Sequence, residues 1–221
     1  GQFPGTKGLS QLIGGLGINN QKHVVIVYGG VSSLDFGSAA RVYWTFKTIG
    51  HENVSILNGG FKGWKNSGNK VVSGENNLNP AKFKTKLNKK YYASFSEVQK
   101  AQKGKGSQCL IDARPAAFFA GDKKHAKARI PGRLANARNL QEGNLIDGGF
   151  KIKSSSEIKS QFGGLEGVEK YKGYISYCNT GHWAATVWFG LSEIAQIPNV
   201  KMYDGGMTHW TYDPKRKVDL S

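Results

Sequence analysis

Apolar runs and amphipathic segments alternate along this chain, and the alternation predicts strands that alternate with helices. Residues 23–28 form a mainly β-branched run, which is typical of a strand buried on both faces of a parallel sheet. A helix is predicted over 38–49, with Gly50 as its C-terminal stop, and a second strand over 54–57. Strands that alternate with helices favour an α/β fold with a mostly parallel sheet.

The second half of the chain shows the same alternation after a polar interruption. The stretch around Pro80 is rich in Asn and Lys and is the best linker candidate. Beyond it, Ser94 or Ser96 is expected to cap a helix. The predicted elements are a helix over 94–102, a strand over 109–111, a helix over 155–162, a strand over 174–177 and a helix from Ala184.

The chain contains an internal repeat. Residues 53–64 match residues 199–210 without a gap, and both copies hold a Gly-Gly pair ahead of a Trp. A repeated strand–loop–helix unit indicates two homologous domains. We therefore expect a first domain over 1–78, a linker over 79–90 and a second domain over 91–221.

Cys178 stands at the start of the most distinctive segment. The hexapeptide Cys-Asn-Thr-Gly-His-Trp links a predicted strand to a predicted helix, and such a turn aims backbone N–H groups inward at the positive end of the helix dipole. We expect this setting to lower the pKa of the Cys178 thiol and to make it a nucleophile, with an inert buried thiol as the alternative. The first copy of the repeat is expected to have Gly29 at the corresponding position. Cys109 opens a strand and is interpreted as a small core residue.

Charge and composition narrow the function classes. The chain has 31 Lys and Arg against 15 Asp and Glu, a net charge of +16, which attracts anions of every kind. No nucleic-acid motif accompanies that charge, so no nucleic-acid partner is expected. Two cysteines exclude a disulfide-rich scaffold, and no apolar run approaches the ~20 residues of a membrane span. A soluble protein of the cytoplasm or the periplasm is expected, with the compartment left open.

Taken together, four sets of residues resemble the rhodanese, or thiosulfate/3-mercaptopyruvate sulfurtransferase, family in its tandem-domain form. They are Asp-Ala-Arg-Pro at 112–115, Arg-Ile-Pro-Gly-Arg at 129–133, Tyr-Cys-Asn-Thr-Gly-His-Trp-Ala at 177–184 and the two Gly-Gly endings. The resemblance covers most of the chain. It implies a degenerate first domain and a catalytic second domain, each a mostly parallel sheet flanked by helices, and a pocket between them whose floor is formed by residues 178–183. It implies no cofactor and no metal.

The first domain departs from the family pattern. An Asp-x-Arg strand and an Ile-Pro-Gly loop are normally present in that domain, and neither precedes His23. The first domain is therefore expected to be incomplete at its N-terminus. A lost N-terminal segment of the same protein is accordingly an expected partner.

The resemblance also implies a reaction and its residues. A sulfane sulfur would pass from thiosulfate or 3-mercaptopyruvate to a thiol or to cyanide through a persulfide on Cys178. The implied substrate-binding residues are Asn179, Thr180, Gly181, His182, Trp183, Arg114 and Arg133. Arginine suits an oxyanion through bidentate contact, although an ion pair of Arg114 with Asp112 is an equal alternative. The loop matches neither the basic loop of thiosulfate-specific members nor the Gly-Ser-Gly-Val-Thr loop of mercaptopyruvate members, so the donor is left open.

Two other classes of function compete with sulfur transfer. A cysteine phosphatase needs a longer loop closed by an arginine, whereas the sixth residue after Cys178 is Ala184. A non-catalytic module that binds anions or a partner protein would leave the intact cysteine loop without a role.

Overall fold

The computed structural model describes residues 2–76 and 78–220. The α-helices are α1 Thr6–Gly15, α2 Ser33–Thr48, α3 Gly60–Asn66, α4 Phe95–Gln102, α5 Ala116–Ala120, α6 Ser155–Gly163, α7 His182–Phe189 and α8 Gly206–Trp210. The strands are β1 Val24–Ile26, β2 Val54–Ile56, β3 Gln108–Asp112, β4 Arg138–Asn139, β5 Gly173–Tyr177 and β6 Val200–Met202. Within these residues, no helix has both the length and the apolarity needed to cross a membrane.

Two parallel sheets organise the chain. In the first, β1 pairs with β2, with Val24 opposite Val54. In the second, the strand order is β4-β3-β5-β6 and every pairing is parallel. Helices flank both sheets, and the expected α/β class with two parallel sheets is confirmed.

The expectation that the first strand is buried on both faces is wrong. Val25 and Val27 are each 52% exposed, whereas Val24 and Ile26 pack against the hydrophobic core. Helix α2 lies against this sheet, so the strand has one covered face and one open face in the described structure. A β-branched run does not distinguish these two situations.

Serine caps fix the starts of two helices. The predicted helix at 94–102 is confirmed in position, and Ser94 is its cap: its N–H donates to Glu97 Oε2 at 2.8 Å, and its Oγ accepts from Glu97 N–H. Helix α2 begins at Ser33, five residues before the predicted start, because Ser32 Oγ accepts from Asp35 N–H at 3.1 Å. Ser32 and the residues directly after it, which resemble a loop in the sequence, are the N-cap and the first turn of α2.

Ahead of the gapless match at 53–64 and 199–210, the structure aligns the two copies of the repeat differently from the sequence. Phe61 N–H donates to the Tyr28 carbonyl at 2.7 Å, and Met207 N–H donates to the Cys178 carbonyl at 2.8 Å. Since Phe61 and Met207 are equivalent in the gapless repeat, Tyr28 is the counterpart of Cys178. The expected equivalence with Gly29 is therefore wrong by one residue. The first copy has a phenol where the second has a thiol.

Helices α2 and α7 join the two halves into one core. The rings of Tyr43 and Phe189 meet edge-on, with centroids 4.9 Å apart. Gly37 permits the close approach, because a Cβ at that position would lie 3.1 Å from the His182 carbonyl oxygen and 3.2 Å from Thr186 Oγ1. The main cluster of buried apolar residues accordingly draws on both halves.

The stretch expected to be a linker, 79–90, contains no helix or strand but is anchored to the first half. Phe83 is buried, Lys86 N–H donates to the Ile49 carbonyl at 2.9 Å, and Asn88 N–H donates to the Thr48 carbonyl at 2.7 Å. The stretch is therefore a segment without helix or strand that is held on the surface of the first half by these contacts. The domain boundaries themselves stay a prediction.

We expect Gly37→Leu to lower the free energy of unfolding by about 1–3 kcal/mol, because the new side chain forces α2 away from α7. Gly63→Leu is the matched control, since a Cβ there has no heavy atom within 4 Å and leucine favours a helix over glycine by up to about 1 kcal/mol. Urea unfolding of both variants measures the difference. Equal effects of the two substitutions would contradict the close approach.

Candidate active site

Cys178 follows β5, a strand that is buried along its whole length between β3 and β6. The chain turns sharply after it: Gly181 has φ of +97°, which favours glycine, and it is the N-cap of α7. The turn brings Gly181 N–H to Cys178 Sγ, with a nitrogen–sulfur distance of 3.0 Å. The sulfur thus lies at the N-terminus of α7, as the hexapeptide predicts.

The Gly-Gly turn after β6 supports the cysteine loop from behind. Gly206 has φ of +56°, and a Cβ at this position would clash with the carbonyl oxygen of Cys178. Thr208 Oγ1 donates to the Asn179 carbonyl at 3.0 Å. The glycine pair, which the sequence shows only as a mark of the repeat, is therefore the backbone support of the loop.

Cys178 lines a cavity of about 250 Å³ and is 1% exposed. Both halves of the chain contribute to this cavity, which confirms the expected location between the two copies. Its lining residues are Leu34 and Ser38 of α2, His125, and Cys178, Asn179, Thr180, His182 and Trp183. A second, more polar cavity of about 640 Å³ adjoins it, shares three of these residues and is also lined by Lys127.

The expectation of a lowered pKa for the Cys178 thiol is wrong. Burial raises the pKa of Cys178, and the backbone N–H groups of Ala184, Gly181 and Thr180 oppose that rise only in part. An anion that forms on this sulfur is consequently stabilised by the loop but not by water. Burial, followed by the charge of Arg41, lowers the pKa of His182, so this imidazole is neutral at pH 7.

Arg114 forms the ion pair with Asp112 that the sequence left as an alternative. Its Nε donates to Asp112 Oδ1 at 2.9 Å and its Nη2 to Oδ2 at 2.6 Å, while Nη2 also donates to the Gly132 carbonyl at 2.9 Å. Nη1 is 3.5 Å from Asn179 Oδ1. Arg114 does not line the cavity, so its geometry supports a positioning role, and its contact with substrate stays a prediction.

The structure does not bring Arg133 to the cavity. Its guanidinium stacks on the Phe119 ring, 4.5 Å from the centroid, and Nη1 donates to the Phe119 carbonyl at 3.3 Å. The five predicted residues of the loop, by contrast, surround Cys178. For Arg133 a substrate contact stays a prediction with no geometric support.

Several residues at the site carry no sequence signal. Leu34 and Ser38 come from the half without the cysteine, and His125 comes from an irregular segment. Phe118 packs edge-on against Trp183, with ring centroids 5.8 Å apart. No motif connects these positions to the loop, because only the tertiary packing brings them together.

The chain matches the family model described as the rhodanese-like domain over residues 4–67 and 94–213. It is 32% identical over 213 residues to the thiosulfate sulfurtransferase of Bos taurus, a match that covers 94% of this chain and 69% of the relative. It is also 32% identical over 196 residues to the 3-mercaptopyruvate sulfurtransferase of Escherichia coli K12, covering 88% of this chain and 67% of the relative.

Solved structures share the fold. SseA from Escherichia coli superposes with a TM-score of 0.80 at 29% identity, covering 92% of this chain and 74% of that one. Wild-type EanB superposes with a TM-score of 0.84 over 96% of this chain, which spans 54% of the EanB chain, and at 19% identity that likeness supports the fold alone. By its matched segments and its relatives, the chain belongs to the rhodanese-like family.

Proposed function

We propose that this chain is a sulfurtransferase that carries a sulfane sulfur as a persulfide on Cys178. The observation that carries the proposal is the position of Cys178, which lines a cavity and whose Sγ lies 3.0 Å from the Gly181 nitrogen. Two relatives, which align with most of this chain, are named thiosulfate sulfurtransferase and 3-mercaptopyruvate sulfurtransferase.

The reaction needs two displacements at sulfur. The Cys178 thiol releases its proton to solvent, and the thiolate attacks the outer sulfur of the donor. A bond forms between the two sulfurs while the bond from the outer sulfur to the donor breaks, and its electron pair leaves with the first product. A thiol or cyanide acceptor then attacks the outer sulfur of the persulfide and regenerates the thiolate. The N–H groups of the loop hold the negative charge of both anionic states.

The lining of the cavity bears on the donor. Among the described residues that line it, none is Lys or Arg, and its side-chain donors include the hydroxyl of Ser38 and the neutral imidazole of His182. The anionic end of thiosulfate or 3-mercaptopyruvate would therefore be bound by backbone N–H groups and by side chains such as these. The ratio of kcat/KM for the two donors distinguishes between them.

We expect Cys178→Ser to abolish sulfur transfer. Incubation of the wild type with thiosulfate or 3-mercaptopyruvate should add about 32 Da, the mass of one sulfur, and the variant should gain nothing by intact mass spectrometry. Cys109→Ser is the matched control, because Cys109 is buried in β3 and burial raises its pKa to about 11. The control should gain the same mass as the wild type. Turnover by Cys178→Ser would exclude the proposed nucleophile, whereas a wild type that neither gains the mass nor turns over would favour the non-catalytic module.

The reactivity of Cys178 should rise with pH. Because burial raises the pKa of this thiol, its thiolate fraction at neutral pH is smaller than that of a free cysteine. In the Cys109→Ser background, the rate of alkylation by iodoacetamide should therefore have a midpoint at higher pH than the rate for a cysteine peptide. A midpoint below that of the peptide would show that the N–H groups outweigh burial.

A further inference from the structure

Arg41 lies on α2, in the half of the chain that lacks Cys178, yet it reaches the cysteine loop. A Cβ built on Gly181 would overlap Nη1 of Arg41, so the guanidinium rests directly on the backbone of this glycine. Gly181 is also the residue whose N–H donates to Cys178 Sγ at 3.0 Å. The cation therefore lies immediately behind the donor that contacts the sulfur.

The position of Arg41 is fixed by two further contacts. Its Nη2 lies 3.3 Å from Asp204 Oδ2, and its Cζ lies 4.7 Å from the centroid of the Trp44 ring. Asp204 is buried after β6 and also accepts the Phe3 N–H at 2.6 Å. The Arg41 side chain is only 14% exposed, so its charge is weakly screened by solvent.

The two buried ion pairs beside the loop differ in geometry. Arg114 binds both carboxylate oxygens of Asp112, with contacts of 2.9 and 2.6 Å, whereas Arg41 makes one contact of 3.3 Å with Asp204. In similar surroundings, the shorter of two contacts between opposite charges is the stronger. Burial lowers the pKa of Arg41, and Asp204 and an anion on Cys178 both oppose that effect. An anion on Cys178 therefore stabilises the charge of Arg41.

Other charged and titratable groups around Cys178 bear on the same anion. One ends β3 and one follows that strand, one follows β6, one comes from an irregular segment and one begins α7. They are Asp112, Arg114, Asp204, His125 and His182. Unlike these five residues, Arg41 comes from the first half of the chain.

We propose that Arg41 is a positioning residue for sulfur transfer, which holds the Gly181 end of the loop and stabilises the negative charge on the Cys178 sulfur. This inference rests on the proposed function. It assigns a task to the half of the chain without a nucleophile, since that half supplies the cation behind the loop. Arg41 does not line the cavity, so its effect should fall on the chemical step and not on donor binding.

The test uses the pH profile of Cys178 alkylation in the Cys109→Ser background. We expect Arg41→Gln to move the midpoint to higher pH and to lower the alkylation rate below the midpoint by about tenfold, which corresponds to one pKa unit. Arg41→Lys keeps the charge and should recover part of the rate. In turnover assays, Arg41→Gln should lower kcat and leave KM largely unchanged. Arg216→Gln is the matched control, because Arg216 also pairs with a carboxylate, Asp213, and stacks on a ring, that of Phe95.

Asp204→Asn provides a test of opposite sign. Removal of this carboxylate leaves the charge of Arg41 less compensated, so the midpoint should move to lower pH and alkylation should become faster. Mere damage to the loop would change both variants in the same direction, which would overturn the proposal. An unchanged midpoint in Arg41→Gln would also overturn it, while the loss of sulfur transfer in Cys178→Ser would still uphold the proposed function. If Arg41→Gln does not fold, as judged by thermal unfolding, the pH profiles of Cys178 alkylation in Arg41→Lys and Asp204→Asn test the proposal instead.

Discussion

The candidate site depends on the close approach of two backbone turns, one after β5 and one after β6. Gly206 admits the carbonyl oxygen of Cys178 at a distance that no side chain would allow, and Met207 N–H donates to that oxygen at 2.8 Å. With its carbonyl fixed from behind, Cys178 directs Sγ toward the N-terminus of α7. The first half of the chain shows the same contact between Gly60 and Tyr28, so the turn belongs to the repeat and the thiol is what distinguishes the second copy.

Burial and hydrogen bonding act on the sulfur in opposite directions. A sulfur that is almost wholly enclosed loses the solvation of its anion, and this raises the thiol pKa. The loop N–H groups return part of that stabilisation, and the charge of Arg41 is placed to add to it. A site of this kind is suited to an anion that forms inside a closed cavity, because fixed donors need no reorganisation when the charge appears. The proposed persulfide is such an anion.

Local patterns predicted the parts of this molecule that depend on neighbours in sequence. The α/β class, the cap at Ser94 and the position of the cysteine hexapeptide between a strand and a helix follow from periodicity and capping chemistry. The early start of α2 was missed because Ser32 and its neighbours resemble a loop until the cap hydrogen bond is seen. Sequence spacing also made Gly29 the counterpart of Cys178, whereas only the backbone hydrogen bonds of the two Gly-Gly turns identify Tyr28.

Contacts between the halves could not be predicted from either half alone. Leu34 and His125 line the cavity because α2 packs on α7 and a distant irregular segment closes over it. Arg133 shows the converse: it belongs to a motif of the family, yet its guanidinium stacks on Phe119. Motifs give residue types and chain positions, whereas the direction of a side chain depends on what packs around it.

A crystal structure of the protein after exposure to thiosulfate or 3-mercaptopyruvate tests the account most directly. The account predicts electron density for one additional atom bonded to Cys178 Sγ, directed into the cavity and within about 3.5 Å of at least one N–H nitrogen of the loop. An unmodified Cys178 beside a sulfur bound to another residue would contradict it.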